Sequence, residues 1–451
     1  MKVRLNANLK VIFLLFSGLP MHGQADSPRS EQQALSQAAA LARQHQFTAA
    51  ERLIEGIGAP ADPVQEIAFH RLRAAIYAGL RRPRESSQEM HAALKLSPYD
   101  AGLIKATAVA DLALLDAQLK IPAVPDFRST LANLRGLSLP DSERAELRRE
   151  MSERLLIARQ FQEALTDLTE AKRLRDGGDV EELLGDAYEA LGDSISSAGS
   201  FQKAVELSPN QERFRLALAI ELMRHQTFEP ALIILKKAVS DFPSSARIRT
   251  ALALTIFLSG NEQAGIEQLL DTISLDPTFS PAVHYLGRIV LSQAAVPDKQ
   301  VVTAECDYAD AHSSDQEANA YCAALQARAE ENSAVTTDWR PILRRLASAS
   351  ARSPQNALVR CEYGRALYQA HDFTQARSQL EVCVQLDPDS IEGHYRLARL
   401  YERLGLKDLG RRELALRSDA EHRLAASNEA RENSVKKFLY TIDQQHATSP
   451  R

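Results

Sequence analysis

Prolines recur at a fixed interval in this chain, and that interval constrains the fold more than any other sequence feature. They are Pro209, Pro243, Pro277, Pro354 and Pro388. The first three are 34 residues apart, the last two are also 34 apart, and the gap between the two groups is 77 residues, or two periods plus nine. A repeating piece such as QLDPDS (385–390) accompanies Pro209, Pro243, Pro277 and Pro388, and also Pro98. A period in this range indicates an array of helical repeats.

Composition agrees with helices. Apolar residues make up 45% of the 451 residues, which is enough for a continuous core, and aromatic residues make up only 6%. Ala and Leu are abundant and β-branched residues are few, which favours helix over sheet.

Small and large residues recur in phase with the prolines. In segment 178–211, the seven residues that carry this pattern are Leu184, Gly185, Tyr188, Ser197, Phe201, Ala204 and Pro209. The equivalent residues of 212–245 are Leu218, Ala219, Leu222, Ala231, Leu235, Ala238 and Pro243, and those of 357–390 are Tyr363, Gly364, Leu367, Ala376, Leu380, Cys383 and Pro388. This register resembles the tetratricopeptide repeat (TPR) family over most of the chain.

The resemblance implies an all-α fold, a right-handed superhelical α-solenoid of antiparallel helix pairs. Small residues at two helix positions let the paired helices approach closely, and the proline ends the second helix. We expect about eleven hairpins. Regular repeats are expected at 67–100, 178–211, 212–245, 246–279, 357–390 and 391–424, and weaker ones at 31–64, 145–178, 280–312 and 314–356.

Six segments are expected along the chain. They are a signal peptide (1–25), degenerate N-terminal hairpins (26–142), central repeats (143–279), degenerate repeats with the nine-residue insertion near 331–339 (280–356), C-terminal repeats (357–424), and a capping helix with a tail (425–451). In 101–142, the piece KIPAVPD at 120–126 lengthens the loop between two helices.

The first 25 residues have the pattern of a secretory signal peptide. Three basic residues precede the apolar stretch VIFLLFSGL at 11–19, and Gly23 and Ala25 place small residues before Asp26. The alternative is an uncleaved anchor, but nine apolar residues are fewer than the ~20 that a span requires. We therefore expect an exported protein, periplasmic or secreted, with no stable membrane span after cleavage.

The charge argues against nucleic acid as a partner. Loss of Lys2, Arg4 and Lys10 with the signal peptide changes the formal charge from −5 to −8. An acidic chain repels the phosphate backbone. The basic run RRPR at 81–84 is interpreted as a solvated turn between helices.

Signatures of catalysis are missing. HExxH, CxxC, GxSxG and P-loop motifs do not occur, so we expect no enzyme activity, no cofactor and no metal. The pair His371–Asp372 falls in a predicted turn between helices. Trp339 is expected to begin a helix and pack against neighbours.

The resemblance implies a concave groove lined by the first helix of each repeat. Its candidate residues are Asp179, Glu182, Asp186, Glu189, Leu216, Ile220, Met223, Leu254, Phe257, Arg288, Arg365, Tyr368, Tyr395 and Arg399. This groove would change from acidic to apolar to basic and aromatic, although the four acids could simply form a solvated helix face. The Lys and Asn residues with which some TPR proteins grip a terminal carboxylate are absent.

The repeat register suggests a pairing for the four cysteines. Cys306 and Cys322 are equidistant from the predicted turn HSSD at 312–315, and Cys361 and Cys383 are equidistant from HDF at 371–373. Residues equidistant from the turn of a helix hairpin lie side by side, so Cys306–Cys322 and Cys361–Cys383 are the candidate disulfides. Four buried free thiols are the alternative.

These patterns predict a non-catalytic protein–protein interaction scaffold or assembly factor in the cell envelope, which binds a helix or peptide of a protein partner. The alternative function is an accessory or regulatory subunit of an envelope enzyme or polysaccharide-export system. An enzyme with an unrecognised site is a third hypothesis.

Overall fold

Helix pairs make up the fold. The computed structural model describes residues 29–120, 127–292, 299–333 and 338–426. In these ranges the chain forms 22 helices and no strand, and the helices follow one another as eleven hairpins. The predicted all-α solenoid of helix pairs is therefore confirmed. The predicted signal peptide lies outside the described residues.

The first of two compact units spans residues 1–200. Its described helices are α1 (Arg29–Arg43), α2 (Phe47–Ile54), α3 (Pro63–Gly79), α4 (Pro83–Leu96), α5 (Ala101–Leu119), α6 (Phe127–Gly136), α7 (Asp141–Ile157), α8 (Phe161–Leu174) and α9 (Gly178–Ala190). The boundary of the unit falls inside α10 (Ser194–Leu207).

The second unit spans residues 201–451. Its described helices are α11 (Glu212–Arg224), α12 (Phe228–Asp241), α13 (Ala246–Leu258), α14 (Glu262–Leu275), α15 (Ser280–Ser292), α16 (Lys299–His312), α17 (Gln316–Ser333), α18 (Trp339–Arg352), α19 (Ala357–Gln369), α20 (Phe373–Leu386), α21 (Ile391–Arg403) and α22 (407–426). We call the first helix of each hairpin helix A and the second helix B.

The turn from helix A to helix B contains one residue in the left-handed conformation. In the eight hairpins whose turn is described, this residue is His45, Arg81, Arg159, Gly192, Gln226, Gly260, His371 or Gly405. Three of the eight are glycine, which adopts a positive φ without steric cost. The other five keep a Cβ atom in a strained region of the backbone.

The recurring proline piece ends helix B and starts the next helix A. Ser245 accepts a hydrogen bond from the Ile248 backbone N–H at 3.1 Å, and Ser390 accepts one from the Gly393 N–H at 3.2 Å. Each serine therefore caps a helix whose first N–H groups have no partner within the helix.

The carbonyl of the recurring proline also accepts a hydrogen bond from the following helix A. Arg249 Nε donates to the Pro243 oxygen at 2.9 Å, and His394 Nε2 lies 3.0 Å from the Pro388 oxygen. Arg215 and Arg360 make the same contact six residues after their prolines. This bond holds the start of helix A against the turn that precedes it.

Small residues bring the two helices of a hairpin together, as the register predicts. A Cβ atom on Gly364 in α19 would lie 2.6 Å from Leu380 Cγ in α20. A Cβ atom on Gly265 in α14 would lie 2.6 Å from Phe257 Cβ in α13. Both positions therefore exclude a larger side chain unless the paired helices move apart.

The nine-residue insertion mainly lengthens a helix. Helix α17 has 18 residues, whereas helix A has 13 residues in the repeats at 178–211, 212–245, 246–279, 357–390 and 391–424. Residues 334–337, within the segment where the insertion was predicted, lie outside the described residues. Trp339 begins α18 and packs, partly buried, against the large core that runs from Ala253 to Ala366, as predicted.

No helix in the described part of the chain combines the length and the apolar character needed to cross a bilayer.

Candidate partner-binding surface

The first helices of successive hairpins contact one another in the second unit. Helix α11 contacts α13, and the contacts continue through α15, α17, α19 and α21. We call this series of six helices the A-helix row. Because the row is continuous, residues at equivalent positions of successive repeats lie next to one another.

Apolar side chains are partly exposed on α11 and α13. Ile220 is 39% exposed, whereas Leu216 and Leu254 are half-buried. Met223 and Phe257, further along the same helices, are also half-buried. This part of the A-helix row offers apolar contact area to solvent.

The acidic residues of α9 belong to the first unit. Asp179 and Asp186 are exposed, and Glu182 and Glu189 are half-buried. Burial, together with the negative charges of Asp186 and of Glu153 in α7, raises the pKa of the Glu182 carboxyl to about 7. One carboxyl of α9 therefore titrates close to neutral pH.

Basic and aromatic candidates lie on the later helices of the A-helix row. Arg288 and Arg399 are exposed. The Tyr395 ring lies 5.0 Å from the Arg417 guanidinium carbon, and the Tyr368 ring packs edge-on against Phe373, so these two aromatic side chains contact the protein itself.

Arg365 belongs to a buried ionic network. Its Nη1 donates to Glu331 Oε1 at 2.9 Å, and its Nη2 donates to Glu362 Oε1 at 2.8 Å. Arg328 also donates to both oxygens of Glu362, and to the Val290 carbonyl at 2.7 Å. The Arg365 guanidinium is therefore held by the A-helix row itself.

Glu362 is the centre of this network. Burial alone would raise the pKa of its carboxyl, but Arg365 and Arg328 outweigh the burial and hold that pKa well below its usual value. The repeat register alone did not predict this network, although the sequence contains a signal for it. Arg328 precedes Glu362 by 34 residues, and Glu331 precedes Arg365 by 34 residues. Opposite charges one period apart lie on adjacent helices of the row.

Two disulfides join helices of the second unit. Cys306 in α16 is bonded to Cys322 in α17, and Cys361 is bonded to Cys383 in the α19–α20 hairpin. Their Cα atoms are 5.1 and 5.2 Å apart, within the usual range for a disulfide. The sequence placed Cys361 at a position that usually faces the groove, but here it is buried beside Gly393.

The chain is similar in sequence to one repeat family and in structure to several helical-repeat proteins. Residues 182–211 match the family model described as "Tetratricopeptide repeat". Sequence comparison with curated proteins gives no match. The match at 182–211 and the 34-residue register of the described helix pairs support a TPR protein.

Three solved structures illustrate the structural similarity. The Cut9–Hcn1 assembly of the APC/C is 14% identical, with 91% of this chain and 84% of that chain covered and a TM-score of 0.40. Yeast Tom70 is 15% identical, with 92% and 96% covered and a TM-score of 0.39. MamA of Desulfovibrio magneticus is 24% identical, with 38% and 93% covered and a TM-score of 0.31. Similarity at this level carries no information about function.

Proposed function

We propose that this protein is a non-catalytic protein–protein interaction scaffold or assembly factor of the cell envelope. A helix or extended peptide of the partner binds on the A-helix row of the second unit. The observation that carries the proposal is the partly exposed apolar patch on α11 and α13, centred on Ile220. Amphipathic helices and extended peptides commonly bind to such surfaces.

The His371–Asp372 pair could be taken for a catalytic pair, but it has a structural role. This role supports the non-catalytic part of the proposal. Asp372 caps α20, because its carboxylate accepts a hydrogen bond from the Gln375 N–H at 3.1 Å. His371, its neighbour, is the left-handed residue of the turn. The only function that this geometry requires of the pair is to form the turn and start the next helix.

Export to the envelope is supported by two features. The first is the signal-peptide pattern of residues 1–25. The second is the pairing of all four cysteines, since disulfides persist in oxidising compartments. Mass spectrometry of the protein isolated from its native cells tests the proposal. An N-terminus at Asp26 is expected, and a cytoplasmic protein that retains Met1 would contradict it.

A pull-down from an envelope extract tests the binding surface. Wild type and Ile220→Glu serve as baits, and Ile233→Glu is the matched control because Ile233, on helix B α12, is 69% exposed. We expect Ile220→Glu to lose a partner that wild type and the control retain. The same partner on all three baits would contradict the proposal. A partner that belongs to an enzyme or to a polysaccharide-export system would indicate the accessory-subunit alternative.

A further inference from the structure

An open pocket of about 380 Å³ lies at the N-terminal ends of α11 and α13. Its lining residues include Glu212, Arg213, Ser245, Arg247 and Asp276. All of these residues belong to the second unit. The volume is in the range of small-ligand and side-chain binding sites.

Two arginines on neighbouring helices face this pocket. Arg213 and Arg247 occupy the same position in successive repeats, 34 residues apart, and both are exposed. Arg247 forms no ion pair with any residue that the structure describes. The guanidinium carbon of Arg213 lies 4.6 Å from the ring centroid of Phe214. A guanidinium group offers several N–H donors in a fork that matches a carboxylate.

The acidic residues of the pocket are held by hydrogen bonds to their own neighbours. Glu212 Oε1 accepts a bond from Ser245 Oγ at 2.8 Å. Asp276 Oδ1 accepts bonds from the Thr278 backbone N–H at 3.0 Å and from Thr278 Oγ1 at 2.6 Å. Neither acid forms an ion pair with Arg247, so Arg247 remains open to an external acid.

The apolar patch continues from this pocket along the same two helices. Leu216 and Ile220 follow Arg213 on α11, and Leu254 follows Arg247 on α13. Seven residues separate Arg213 from Ile220, which is about 10 Å along a helix. The surface therefore has a direction, with cationic groups at one end and apolar groups beyond them.

We propose that this surface binds an acidic–apolar peptide segment of the protein partner. An Asp or Glu side chain of that segment enters the pocket, beside Arg213, and pairs with Arg247. Leu or Ile side chains that follow it pack on Ile220 and Leu254. The inference rests on the proposed function, because it names the chemistry of the partner that the A-helix row binds.

Three fluorescent pools of short peptides test the inference. The pools share one mixture rich in Leu and Ile, and they differ only in a flanking block of Asp/Glu, Asn/Gln or Lys/Arg, placed at either end. Binding to the full-length mature protein is measured by fluorescence anisotropy. Wild type is compared with Arg247→Glu, with the milder Arg247→Gln, and with the control Arg340→Glu on α18. Circular dichroism confirms that each variant is folded.

We expect the acidic pool to bind wild type and Arg340→Glu about tenfold or more tightly than the basic pool. Arg247→Gln should reduce this preference, and Arg247→Glu should abolish it. Higher salt should also weaken binding of the acidic pool, because salt screens exposed charges. Equal binding of all three pools, or an acidic preference that survives Arg247→Glu, would overturn the acidic-partner inference alone. Failure of all three pools to bind would count against the proposed function as well.

Discussion

Arg328 and Glu362 form a buried ion pair that joins helix A of two neighbouring repeats. Arg328 Nε lies 3.1 Å from Glu362 Oε1, and the two side chains are only 7% and 1% exposed. Glu362 also binds Arg365, and Arg396 lies 3.8 Å away. One carboxylate thus connects α17, α19 and α21.

Glu362→Gln should destabilise the second unit by about 3 kcal/mol, because it leaves buried arginines without their carboxylate. Glu421→Gln is the control, since Glu421 pairs with Arg417 at an exposed position where an ion pair contributes about 0–1 kcal/mol. Urea denaturation at neutral pH, followed by circular dichroism, measures both variants. Equal shifts of the two midpoints would show that the network does not stabilise the row.

The Glu362 carboxyl should also make the stability of the protein depend on pH. The pKa of Glu362 is depressed in the folded state, so its contribution is present above the unfolded value of about 4.5 and decreases as the pH falls below it. Wild type should therefore lose more stability than Glu362→Gln between pH 5 and pH 3. Parallel losses in the two proteins would contradict the depressed pKa.

The Glu182 carboxyl should change the stability of the protein with pH in the opposite direction. Its pKa is raised to about 7 in the folded state, so the folded protein holds a proton that the unfolded chain releases above about 4.5. Stability contributed by this group falls as the pH rises from 4.5 to 7. Glu182→Gln should thus be more stable than wild type at pH 8 and similar to it at pH 5. Glu229→Gln, on an exposed part of α12, controls for the loss of one negative charge.

The turn residue Gln226 offers a test of backbone strain. Its φ is 55°, a conformation that glycine adopts more readily. Gln226→Gly should raise stability by about 0.5–1 kcal/mol. The left-handed conformation costs a residue with a Cβ atom ~1–2 kcal/mol, and part of this saving is offset because glycine increases the conformational entropy of the unfolded chain. Gln202→Gly inside α10 should lower stability by about 1 kcal/mol. Destabilisation by both substitutions would contradict the strain.

The two disulfides predict a specific peptide map. A non-reduced digest should contain Cys306 linked to Cys322 and Cys361 linked to Cys383. Each bond closes a short loop, so reduction should cost about 3 kcal/mol per bond in the chain-entropy model. Four thiols that react with iodoacetamide without prior reduction, or a different pairing, would contradict the prediction.

The sequence predicted those features that the period determines. The proline spacing predicted the hairpins, and small residues such as Gly364 predicted the close approach of paired helices. The residues that the period leaves variable were harder to interpret. Arg365 was predicted to line a binding groove, but the turn added to α17 provides Glu331 as its partner. Only the contacts of an individual side chain distinguish these two roles.

The candidate surface likewise has some features that the repeat period determines and others that it does not. The register places Ile220 and Leu254 on the A-helix row, but not the pocket at the N-terminal ends of α11 and α13. That pocket depends on how the ends of two helices and the segment before α15 come together. Such a meeting point is a tertiary property and leaves no fixed spacing in the sequence.

The central claim is that the A-helix row of the second unit contacts a partner protein. Site-specific photo-crosslinking in living cells tests this claim most directly, with a benzophenone amino acid placed at Ile220 or, as a control, at the more exposed Ile233. We predict a discrete crosslinked adduct from position 220 that the control position does not give. An adduct from position 233 alone, or the same adducts from both positions, would contradict the claim.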